Sequence, residues 1–125
     1  MKIQSYENGK MRVNYNNINS LTVKKVSDYF QLVYTFREKI KLEEKTIIRK
    51  FKSNLEIDKL LNGCGFQKFA NTYINLGKVS IMEKFPVADS LGKVRVVFYF
   101  EALPSIEIIM NKSQLDILEN HFLIF

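Results

Sequence analysis

Histidine and cysteine are almost absent from this chain, and each shortage closes off some chemistry. The single cysteine, Cys64, cannot form an internal disulfide, which fits a reducing compartment. His121 is the only histidine. One His and one Cys far apart in sequence do not make a zinc site, so no metal site is expected. Cys64 lies between Gly63 and Gly65 with no base beside it, a poor setting for a nucleophile. Gly63-Cys64-Gly65-Phe66 has neither the lysine nor the length of a phosphate loop. No apolar run approaches about 18 residues, and no charged segment leads into an apolar one at the start. Membrane spanning and secretion are therefore not expected, and the chain reads as cytoplasmic. The carboxylate pairs Glu43-Glu44, Glu56/Asp58 and Glu101/Glu107 read as turn, helix and strand-face charges. No catalytic residue and no cofactor is expected, and the chain does not read as an enzyme.

The length of 125 residues suits a single domain spanning 1–125 with a modest core. Hydrophobic residues at 46% and charged residues at 26% place it among globular proteins rather than disordered ones. The net charge of +6 suits a polyanionic partner, although a soluble basic surface would give the same number. The cations are mostly lysine, with arginine only at Arg12, Arg37, Arg49 and Arg95. Lysine serves phosphate attraction better than bidentate base reading.

Period-two patterning dominates. Met11 to Tyr15 and Ile18 to Val23 read as strands on either side of an Asn16-Asn17 turn. Phe30, Leu32, Tyr34 and Phe36 alternate along a strong strand. Ile40-Lys41-Leu42 extends it, Glu43-Glu44-Lys45 reads as a charged turn, and Thr46 to Phe51 returns as its partner. Ser53-Asn54-Leu55-Glu56 has the form of a capping box before Leu55, Ile57, Leu60 and Leu61, with Asn62-Gly63 as a left-handed stop. Val79 to Met82, Val94 to Phe100 and Ile106 to Met110 read as strands, the second nearly all apolar and hence central. Ser113 to Asp116 can open a terminal helix that brings Leu115, Leu118 and Phe122 to one face. The class is mostly β with short helices.

Between the first helix and the later strands runs Phe66-Gln67-Lys68-Phe69-Ala70-Asn71-Thr72-Tyr73-Ile74-Asn75-Leu76-Gly77-Lys78-Val79. Lys68, Asn71, Thr72, Asn75 and Lys78 supply phosphate and base-edge donors along a strand-loop-strand. This segment resembles the most recognisable stretch of LytTR DNA-binding domains, which runs Phe-x-Arg-x-His-Arg/Lys-Ser-Tyr-Ile-Val-Asn-Leu-x-Lys-Ile. The order of elements before and after it is similar too, from about residue 10 to 122. Such a resemblance implies an elongated fold of antiparallel sheets and a transcription regulator whose loops enter the major groove of duplex DNA. It carries over Lys24, Lys25 and Tyr29 in a first loop, Lys68, Asn71 and Thr72 in a second, and Asn111 and Lys112 in a third. Asn71 would meet an adenine edge and Lys112 a guanine, with the other lysines at phosphates. A homodimer on DNA is a further implication if the half-sites are paired. The chain departs from the pattern at Ala70, where histidine is usual, at Asn71 and Lys112, where a longer cation is usual, and by one residue in Tyr73-Ile74-Asn75. These changes shift weight from base reading to phosphate contact. As alternatives, Asn71 and Asn75 are turn residues bonding their own backbone, Tyr29 is a half-buried strand aromatic, and Lys24-Lys25 is a solvated turn. The whole chain could then be a basic protein-interaction or structural domain with no nucleic-acid role.

Overall fold

The computed structural model describes residues 3–6, 11–51, 53–87 and 92–122. It is mostly β, with antiparallel sheets and two short helices. Its contacts divide the chain into two compact units, 1–78 and 79–125, within what the sequence suggests is one domain.

The first unit opens with a two-stranded ribbon, β1 (Ile3–Tyr6) against β2 (Met11–Asn14). A 3-10 turn follows at Tyr15–Asn17, with the Asn14 side chain accepting from the Asn16 amide. The five-stranded sheet is built from β3 (Ser20–Val26), β4 (Tyr29–Glu38), β5 (Lys41–Phe51), β6 (Phe66–Phe69) and β7 (Thr72–Asn75), in the order β5-β4-β3-β7-β6. Helix α1 (Asn54–Asn62) lies between β5 and β6 in sequence and buries Ile57 and Leu61, four residues apart on one face. These join Leu21, Leu32, Phe66 and Tyr73 in one apolar cluster. Leu32 and Val33 are neighbours on β4 and both are buried, so this strand is covered on both faces.

Several local expectations shift. The β4–β5 turn is Lys39-Ile40, and Glu43-Glu44-Lys45 lies within β5, where Glu43 opposes Phe36. Lys39 takes φ +58°, the left-handed backbone conformation by which a two-residue turn matches the right-handed twist of its strands. Ser53 occupies the N-cap of α1 with extended backbone, yet its side chain makes no capping bond. Gly63 is right-handed at φ −66°, and the left-handed residue is Gly65 at φ +87°.

The second unit is a meander of β8 (Val79–Pro86), β9 (Lys93–Phe100) and β10 (Leu103–Asn111), with β9 central as its apolar run implies. Val96, Phe98 and Phe100 are buried and alternate with half-buried Arg95, Val97 and Tyr99. Helix α2 (Lys112–Phe122) buries Leu115 and Leu118, and Lys84 on β8 reaches Glu119 at 2.5 Å. The Phe122 side chain lies outside the described residues. The cap of α2 is Asn111, two residues before Ser113. The Asn111 Oδ1 accepts from the Gln114 amide at 2.8 Å and the Gln114 Oε1 accepts from the Asn111 amide at 3.1 Å, a reciprocal box.

Candidate nucleic-acid interface

The β3–β4 hairpin turns on Ser27-Asp28, so Lys24 and Lys25 stand on the end of β3 rather than in a loop. Side chains alternate along a strand, and the two lysines therefore part company. Lys24 reaches Glu44 on β5 at 2.6 Å. Lys25 shares its face with Val23 and pairs across the hairpin with Phe30, its Nζ 6.0 Å from the ring centroid. Tyr29 flanks the turn opposite Val26 and is 40% exposed.

The β6–β7 hairpin turns on Ala70-Asn71, with Ala70 at φ +56°. The Asn71 carbonyl accepts from the Val23 amide at 2.8 Å, so the turn is fixed onto β3 two residues before Lys25. Thr72 follows on β7, its hydroxyl 3.4 Å from the Asn71 Oδ1. Lys68 lies opposite Tyr73 in the register, its Nζ 5.6 Å from the ring centroid and 3.6 Å from Asp58 on α1. The Tyr73 hydroxyl donates to the same Asp58 carboxylate. Burial, then this bond, then the carboxylate charge raise the Tyr73 phenol well above its ordinary value. Lys68 is thus only half-exposed and shares its charge with the network that pins α1 to the hairpin.

These placements bring Lys25, Lys68 and Asn71 to one open depression of about 290 Å³, together with Phe30, Ala70 and Asn54. The Asn54 Oδ1, at the start of α1, is buried without a hydrogen-bond partner. Two ammonium groups, an exposed amide and an aromatic ring can contact phosphate oxygens and a base edge together. Lys24 lies outside this group.

Asn75 plays a different part from Asn71, four residues earlier. It is 5% exposed, its Nδ2 donates to the Ile18 carbonyl at 3.0 Å, and its Oδ1 accepts from the Gly77 amide at 3.2 Å. Its amide also donates to the Asn19 carbonyl at 2.8 Å. It bonds partly to its own local backbone, as a turn residue would, but chiefly clamps the segment before β3 onto β7.

In the second unit Asn111 ends β10 and Lys112 starts α2, both exposed. The Asn111 oxygen is committed to the helix cap. The register sets Lys93 opposite Asn111, so a second lysine joins Lys112 at this end of the sheet. Lys93 was not expected from sequence and became apparent only through this pairing. Phe30 could have been found by counting outward from the Ser27-Asp28 turn.

Among the described residues, no group of three His, Cys, Asp or Glu side chains could hold a metal ion. No helix there is long and apolar enough to cross a membrane. No family model, curated protein or solved structure matches this chain.

Proposed function

We propose that the chain is a cytoplasmic, sequence-specific DNA-binding regulator of LytTR type that acts through two basic sites on the ends of its sheets. The observation that carries this reading is the convergence of Lys25, Lys68 and Asn71 on one depression beside Phe30. The exposed pair Lys93 and Lys112 adds a second cationic point in the other unit. The lysines supply phosphate attraction, and Asn71 is the candidate for reading an adenine edge.

Selection of binding sites from a random duplex pool tests the reading, followed by two variants. Asn71→Ala is expected to cost about 1–3 kcal/mol on the selected site and little on random duplex. Lys112→Ala is expected to weaken both about equally and to lower the salt slope by about one. Failure to bind any duplex at low salt would remove the proposal. Equal losses from Asn71→Ala on both duplexes would remove base reading alone. Ile40, 94% exposed at the β4–β5 turn, and Leu42, 66% exposed, favour a second reading as a protein-interaction domain. Salt-independent behaviour toward DNA would leave that reading standing.

A further inference from the structure

A second depression in the first unit, of about 340 Å³, lies along β2, the 3-10 turn and the β4–β5 pair. Its apolar lining includes Val13, Ile18 and Ile47, all buried members of the core, together with Tyr34. All four residues of β2 line it, although side chains alternate along a strand, so it runs along an edge of β2. That edge is open because β2 pairs only with β1 among the described residues.

Among the described residues the charge around this groove has one sign: Arg12 and Lys45 line it and no acidic residue does. Glu44, next to Lys45, is held by Lys24 at 2.6 Å, and Glu43, on the same strand face as Lys45, does not line the groove. Neither cation is in a salt bridge among the described residues. The volume falls in the range of small-molecule sites, where an apolar lining and a few polar groups set orientation. A groove lined by an arginine and a lysine favours a carboxylate, which a guanidinium can hold with two parallel bonds.

We propose that this groove binds a small amphipathic carboxylate, with its apolar body on Val13, Ile18 and Ile47 and its head group between Arg12 and Lys45. The site does not depend on the DNA reading, since it shares no residue with the depression around Lys25 and Asn71. Such a ligand would join the β1–β2 ribbon to the five-stranded sheet.

Sodium octanoate, octanol and octylamine share one apolar tail and differ in the head group, so titrating the full chain with each separates charge recognition from apolar contact. Amide and methyl NMR shifts at Val13, Ile18 and Ile47 are expected to saturate with octanoate, with affinity about tenfold above that for octylamine. Arg12→Gln combined with Lys45→Gln is expected to lower octanoate affinity about tenfold and leave octanol unchanged. Both side chains are exposed, and the thermal midpoint of the double variant checks that it remains folded. If it does not, Arg12→Gln alone is expected to give a loss of about threefold. The proposal is overturned if shifts are missing from these three residues. It is also overturned if octylamine or octanol binds as tightly as octanoate, or if the folded variant binds octanoate undiminished.

Discussion

Replacing Asn75 by alanine tests whether one buried amide holds the first unit together. The substitution removes the donor to the Ile18 carbonyl at 3.0 Å, a longer contact to the Tyr15 carbonyl at 3.4 Å, and the acceptor for the Gly77 amide at 3.2 Å. The two shorter bonds contribute about 1 kcal/mol each, and buried groups left without partners add about 1 more, giving a loss of about 3 kcal/mol. Urea unfolding followed by circular dichroism reads this as a midpoint lower by about 1–3 M with an unchanged slope. Asn75→Asp keeps the shape but replaces a donor with a charge at a site only 5% exposed, so it is expected to cost at least as much. Asn71→Ala is the control. Its side chain is exposed, and its loss should stay within about 0.5 kcal/mol. If Asn75→Ala also stays within about 0.5 kcal/mol, the clamp is not a determinant of stability.

The Tyr73 phenol is raised above its ordinary value of 10, so its contribution to stability is complete below about pH 10 and is lost as pH climbs further. Wild-type stability should therefore fall faster than that of Tyr73→Phe above pH 10, by up to about 1.4 kcal/mol per pH unit; parallel pH profiles from urea unfolding would refute this. Lys39→Gly places glycine at φ +58° in the β4–β5 turn. Relief of the left-handed backbone outweighs the added freedom of the unfolded chain, so a gain of about 0.5 kcal/mol is expected in thermal unfolding, and a loss would refute it.

Period-two alternation made β4 and β9 legible. On β9, Val96, Phe98 and Phe100 are buried at every second position. On β4, Phe30, Tyr34 and Phe36 are half-buried on the face of buried Leu32, although Val33 is buried on the other face as well. Turn placement was less legible for a physical reason. Among the described residues, the two-residue turns Ser27-Asp28, Lys39-Ile40, Ala70-Asn71 and Glu101-Ala102 put Ser27, Lys39, Ala70 and Ala102 at positive φ, so the left-handed position itself never holds the glycine or asparagine that usually marks it. Glu43-Glu44-Lys45 looked like a turn by charge, yet it is an exposed stretch of strand. Asn75 was ambiguous in the same way, since its carbonyl partners lie 57 and 60 positions earlier and leave no local trace. Of the candidate interface, Lys68 and Asn71 were legible from the segment's residue types, and Lys25 came only from the resemblance in the order of elements before it. Their convergence was not legible, because it depends on the Val23–Asn71 bond and on which face each strand residue takes. Lys24 shows the cost of missing that parity, since it points to Glu44 instead.

The salt dependence of duplex binding tests the central claim most directly. Lys25, Lys68, Lys93 and Lys112 are the cations at the two sites, and neutralising about four phosphates gives a slope of log affinity against log salt near minus 3.6. Fluorescence anisotropy with a labelled selected duplex, from low to physiological salt, measures it. A slope between about minus 3 and minus 4 that flattens when Lys25 and Lys112 are both replaced by alanine is the predicted result. Binding that is absent at low salt, or that does not change with salt, would contradict it.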